Sequence, residues 1–108
     1  NIAAAEVEEM LQRHAEVRLA ACVPVPDALR GEEIWALIVP TDPGSPPDLL
    51  ELHAFCAANL ARFKVPRYWE IRDHVPLTPS HRVQKGTLIV EARDGLQNAL
   101  DITSGVRA

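Results

Sequence analysis

The amino-acid sequence predicts a small α+β domain, a mostly antiparallel three-stranded sheet with helices packed on it. Three observations lead there. The chain has 108 residues, room for one core and little more. Two strand-like runs, 17–25 and 32–39, flank the turn-rich 27–31, a connection short enough for an antiparallel pair. The segments on either side carry apolar residues at helical spacing.

In chain order, Val7, Met10, Leu11 and His14 share one side of a 3.6-residue period, with Glu6, Glu8, Glu9 and Gln12 opposite or flanking. That spacing predicts a helix over 3–14. The run 17–25 is mostly apolar, as a strand buried on both faces is, and Pro24 and Pro26 are expected to close it. A second strand follows over 32–39, then a loop at 41–47 (TDPGSPP). Asp48 is placed to cap a helix over 49–61, whose Leu52, Phe55, Cys56 and Leu60 form an inward stripe. A kinked connector (63–66), a short strand (68–72) and a proline-held loop (74–82) complete the sheet. Residues 83–93 read two ways, because Thr87-Leu88-Ile89-Val90 suits a strand while Gly86 weakens a helix. The domain is expected over 1–93, with a weakly ordered tail over 94–108 where periodicity is poor.

Apolar residues make up 47% and charged residues 24%, with a net charge of −4, a composition expected of a water-soluble globular domain. No apolar run approaches the ~20 residues a membrane span needs, and no signal-peptide pattern opens the chain. Two cysteines make no disulfide framework, so a cytoplasmic location is expected. The helical pattern is under way from the first residues, as in a piece of a longer chain. Charge is uneven: residues 1–54 carry three bases against ten acids, and residues 55–108 eight bases against five. Arg62, Lys64, Arg67, Arg72, Arg82 and Lys85 cluster within 62–85. On an acidic chain such a cluster is either a solvated face or a site for a local anionic ligand. A nucleic acid fits poorly, since the overall field repels a polyanion.

Complete active-site motifs are absent: the five glycines form no phosphate-binding turn, and no G-x-S-x-G occurs. Cys22 and Cys56 fall at predicted core positions and read as buried thiols. His53 and Cys56 share a helix face, but no second pair of ligands stands at zinc spacing, so no metal site is expected. Two linked segments remain, 61–68 (ARFKVPRY) and 77–85 (LTPSHRVQK). In the first, Phe63 either closes the helix against the core or stands between bases, a pairing suited to stacking a purine and binding its phosphates. The second is a loop from which cations project, of the kind that delivers a charge to a site elsewhere.

Four motifs in order carry a resemblance. Residues 1–8 (NIAAAEVE) look like N-I-S-x-x-E-V-E, and 25–32 (VPDALRGE) match V-P-D-x-x-x-G-E. Residues 61–66 (ARFKVP) match L-A-x-F-K-V-P, and 75–80 (VPLTPS) match L-P-x-T-P-S. Over residues 1–92 the chain resembles the C-terminal small domain of adenylate-forming enzymes, the acyl-CoA synthetase group.

The resemblance implies a two-step, ATP-dependent, AMP-forming acid–thiol ligase. A large N-terminal domain of the same chain would bind ATP, with its Mg²⁺, and a carboxylic acid, and form acyl-adenylate and pyrophosphate. The small domain would then turn to present another face, on which CoA displaces AMP. By itself this domain is expected to be inactive and to bind none of these molecules. The resemblance places Phe63, Lys64 and Arg67 at the CoA nucleotide in the full-length enzyme. The family continues T-P-S-G-K, and its lysine neutralises charge during adenylation; here His81 stands at the glycine and Arg82 at the lysine. Arginine keeps the cation but replaces a compact ammonium with a planar fork. Lys85 is a possible substitute for it. Crotonobetaine/carnitine-type and fatty-acid-type ligases look nearest in the stretch 77–88. The alternatives are a degenerate paralogue that binds nucleotide or CoA without efficient turnover, and a free-standing interaction module.

Overall fold

Strand β1 (Val17–Asp27) and strand β2 (Gly31–Pro40) form a long antiparallel hairpin in register from Leu19↔Val39 to Asp27↔Gly31. The structure, a computed structural model, describes residues 2–103 and 106–107. Gly31 closes the hairpin turn with φ +80°, a conformation that glycine adopts without steric cost. Around the hairpin stand α1 (Ile2–Leu11), α2 (Leu49–Asn59), β3 (Tyr68–Ile71), α3 (Lys85–Arg93), β4 (Leu100–Asp101) and β5 (Val106–Arg107).

The sheet is mixed and larger than three strands. Its order is β1-β2-β3-β4, with β5 added as a two-residue edge. β3 runs parallel to β2, pairing Trp35 with Tyr68 and Ile38 with Ile71. This corrects the expected mostly antiparallel three-stranded sheet. The reason is α2, which carries the chain back along the sheet before β3 begins, so the crossover imposes a parallel neighbour. β4 pairs antiparallel with β3, and Ala99 just before it is fully buried. Part of the segment that lacks periodicity therefore enters the sheet. The rest of the expected loose tail includes Ser104, Gly105 and Ala108, which lie outside the described residues, as does Asn1 of the first family motif.

Both faces of the β1–β2 hairpin are covered. Ala20, Cys22, Ile34, Ala36, Ile38 and Trp69 pack with Val7 and Leu11 of α1 and Leu52 and Cys56 of α2. The alternate residues Ala21, Val23, Trp35, Leu37 and Val39 pack with Leu88 of α3 and with Val75. Period-two alternation with apolar partners on each side explains why β1 and β2 read as continuous apolar runs.

β1 continues through Pro24 and Pro26, which pair with Ile34 and Glu32. An edge strand tolerates proline because every second N–H faces away from the ladder. The same outward row includes Ala20 and Cys22, whose N–H groups donate to Gln12 Oε1 (3.3 Å) and Glu8 Oε2 (2.7 Å). Glu8 of α1 and Gln12 just beyond its end thus cover the exposed edge of the sheet where prolines do not.

Residues 85–93 are helical. Leu88 is buried, and Ala92, one turn later, packs beside it on the same cluster. Tertiary burial outweighs the weak propensity of Gly86. Asp48 caps α2 as expected, its carboxylate accepting from Leu50 N–H at 2.8 Å.

Candidate functional site

The segment that ends α2 is a 3₁₀ turn over Arg62–Lys64, fixed at its far end by Pro66. Pro66 is buried, and its carbonyl accepts from the Trp69 indole N–H at 3.0 Å. The turn pushes Phe63 outward, 80% exposed, so it does not close the helix against the core. Lys64 Nζ lies 5.7 Å from the Phe63 ring centroid and 2.7 Å from Glu6 Oε2 on α1. A ≈ 580 Å³ cavity opens beside this turn, lined among others by Arg30, His53, Arg62 and Arg67 over Leu60 and Val65.

Arg67 is held from several directions. Its N–H donates to the Ile34 carbonyl at 3.1 Å, and its carbonyl accepts from Ile102 N–H at 2.9 Å. Its guanidinium donates from Nε and Nη2 to the two oxygens of Asp101, each at 3.1 Å, and Asp27 lies 3.8 Å away. The hydrogen bonds from Arg67 hold the Asp101 carboxyl down to about 2, and the Arg67 pKa is raised in turn.

The second segment is a hairpin whose base is the antiparallel bridge Leu77↔Val83. Its turn is closed by His81 N–H donating to the Thr78 carbonyl at 2.9 Å, with Pro79 at the second position. Thr78 N–H donates to the Arg82 carbonyl at 2.7 Å, and Arg82 N–H donates back to Thr78 Oγ1 at 3.1 Å. His81 follows the turn with φ +65°, the left-handed bulge position that glycine occupies at least cost. Arg82 is exposed and forms no ion pair among the described residues. Lys85, at the start of α3, is 2.8 Å from Glu8 Oε2.

The two segments do not converge on one pocket. Phe63 and Lys64 stand with Glu6, whereas the residues after the hairpin stand with Glu8. No residue of 77–85 lines the cavity that holds Arg62 and Arg67, and Phe63 and Lys64 stand outside it as well. The acidic partners Glu6, Glu8 and Asp101 were not legible as such in the sequence; the available signal was two acids at i and i+2 on one helix, which point to opposite sides. Burial raises both thiols, Cys56 to about 12, so neither is a nucleophile in the folded chain. Among the described residues no group of three His, Cys, Asp or Glu is placed to hold a metal ion. No helix is long and apolar enough to cross a membrane, within the same residues.

Fold and segments together define a small mixed α+β domain that presents two separate basic elements on either side of one helix. Residues 6–82 match the family described as AMP-binding enzyme C-terminal domain, and the chain belongs to it. It is 38% identical over 88 residues to a fatty acid–[acyl-carrier-protein] ligase, ScoC, of Streptomyces coeruleorubidus, covering 82% of this chain and 17% of that protein. It is 34% identical over 88 residues to a crotonobetaine/carnitine–CoA ligase of Salmonella paratyphi B, again covering 82% and 17%. The crystal structure of a Brucella canis acyl-CoA synthetase superposes with a TM-score of 0.78 at 29% identity, covering 84% of this chain and 17% of that one. The chain thus spans about one sixth of the length of the relatives it matches.

Proposed function

We propose that this is the mobile C-terminal domain of an ATP-dependent, AMP-forming acyl-CoA synthetase, with one basic element serving each half-reaction. The observation that carries the reading is the separation of the two elements by α1. A domain that serves adenylation and then thioester formation needs two faces, each with its own cation. In the first step Arg82, at the exposed end of its hairpin, supplies positive charge as a carboxylate meets the α-phosphate of ATP bound in the large domain. Its charge is permanent and its fork can span two oxygens. The Mg²⁺ that accompanies ATP belongs with the large domain.

In the second step the exposed Phe63 stacks on the adenine of CoA, with Lys64 and Arg67 beside its phosphates. Arg62, which lines the neighbouring cavity together with Arg67, adds a cation there. Free CoA is favoured over a carrier protein as acceptor because an exposed aromatic ring flanked by bases matches a nucleotide. The acid is chosen by the large domain.

The experiment is a separation of half-reactions in the full-length ligase that carries this domain. Arg82→Ala is expected to slow pyrophosphate release about 10²-fold and to leave thioester formation from supplied acyl-adenylate unchanged. Phe63→Ala is expected to do the reverse. Adenylation indifferent to Arg82→Ala would overturn the first assignment and favour a domain that binds nucleotide or CoA without efficient turnover.

A further inference from the structure

We infer that the Glu8–Lys85 ion pair is a positioning device: it sets where α3 begins and thereby aims the hairpin that carries Arg82. This rests on the ligase reading above and gives Lys85 a role through Arg82 in place of direct contact with the reacting groups. Lys85 Nζ and Glu8 Oε2 are 2.8 Å apart. The same oxygen accepts Cys22 N–H at 2.7 Å. Glu8 is therefore anchored to the edge strand β1, and Lys85 meets a carboxylate with a fixed address.

The start of α3 needs such an anchor. Gln84 provides no side-chain cap, and Gly86 at the second helical position meets nothing within 4 Å of where a Cβ would stand. An uncapped first turn containing glycine holds its direction poorly unless a tertiary contact fixes it. Between this anchor and the hairpin there is little slack. Lys85 N–H donates to the Val83 carbonyl at 3.1 Å, and Gln84 N–H donates to the Pro76 carbonyl at 2.8 Å. At the tip, the side chains of Thr78 and Ser80 bond each other, and Thr78 Oγ1 accepts from Arg82 N–H. The hairpin's internal shape is thus self-contained, and its direction is decided at the base by Val75, Val83, Leu88 and the Glu8–Lys85 pair. Moving a catalytic group by about 1 Å costs on the order of 10²-fold in rate, so a pair at the base has leverage over the tip.

The test uses the full-length ligase with Lys85→Met, Lys85→Arg, Glu8→Gln and the Lys85→Met/Glu8→Gln double variant, with Arg82→Ala as reference. Pyrophosphate release and thioester formation from supplied acyl-adenylate are followed separately. Expected is a loss of adenylation of about 10-fold in Lys85→Met and Glu8→Gln. The double variant should be no worse than either single one, Lys85→Arg should recover most of the rate, and thioester formation should stand unchanged. If Lys85→Met abolishes adenylation while Glu8→Gln leaves it intact, Lys85 touches the reacting groups and the inference is wrong. Full adenylation in both single variants, with Arg82→Ala still impaired, overturns the positioning role and leaves the ligase reading standing. Adenylation indifferent to Arg82→Ala removes both. A proportional loss in both half-reactions marks general destabilisation and also overturns the inference.

Discussion

Glu6 and Glu8 stand two residues apart on α1 and bind lysines from opposite sides of that helix, Lys64 at 2.7 Å and Lys85 at 2.8 Å. Two residues on a helix are about 200° apart, so one short stretch of α1 ties down both basic elements. Each lysine belongs to a different face, and the helix between them is the common frame.

His81 occupies a left-handed conformation that costs an L-residue roughly 1–2 kcal/mol. His81→Gly relieves that cost, offset in part by the greater freedom of glycine in the unfolded chain. A net gain of about 0.5–1 kcal/mol is expected, read as a rise of a few degrees in Tm by calorimetry. With Arg82→Lys added, pyrophosphate release by the full-length ligase should accelerate, because the compact ammonium and the relaxed turn restore the family's arrangement. A lower Tm for His81→Gly would show that the imidazole makes a compensating contact.

Phe63 is largely exposed, so Phe63→Ala should leave folding stability within about 0.5 kcal/mol of the parent. Loss of base stacking is worth about 1–3 kcal/mol, which should raise the KM for CoA roughly 5- to 150-fold. Adenylation should be unchanged. A KM for CoA that does not move would remove Phe63 from the nucleotide site.

Asp101 has a folded pKa of about 2, below its ordinary 3.8, chiefly because Arg67 donates to it. A depressed carboxylate stabilises the fold fully above its unfolded pKa and loses that contribution as pH falls through the folded value. The window is therefore about pH 4 down to pH 2. Asp101→Asn should cost about 1–3 kcal/mol at neutral pH and flatten the acid limb of a Tm-against-pH curve in that window. An unchanged acid limb would mean that the Arg67–Asp101 fork does not persist in solution.

Cys22 and Cys56 should resist a thiol-specific disulfide reagent at pH 8 in the native chain, since burial holds both thiols protonated. In denaturant both should react. Labelling of either thiol at native conditions, without loss of structure, would contradict their burial.

Local and short-range features were open to sequence reasoning. Asp48 before an apolar stripe announced α2, and Asp27–Gly31 between two apolar runs announced the β1–β2 hairpin. The four ordered motifs pointed to the family, and the resemblance set His81 at a family glycine, where the backbone takes φ +65°. Tertiary structure decided the remainder. The direction of β3 depends on where α2 sends the chain, and residues 85–93 become helix because Leu88 finds a buried place against the β1–β2 hairpin. Asp101 reaches Arg67 across 34 residues, and Glu6 reaches Lys64 across 58. Hydrophobic period and turn chemistry act over a few residues and so leave a mark in sequence. An ion pair between distant segments leaves none, because its geometry exists only once burial has brought both backbones to the same place.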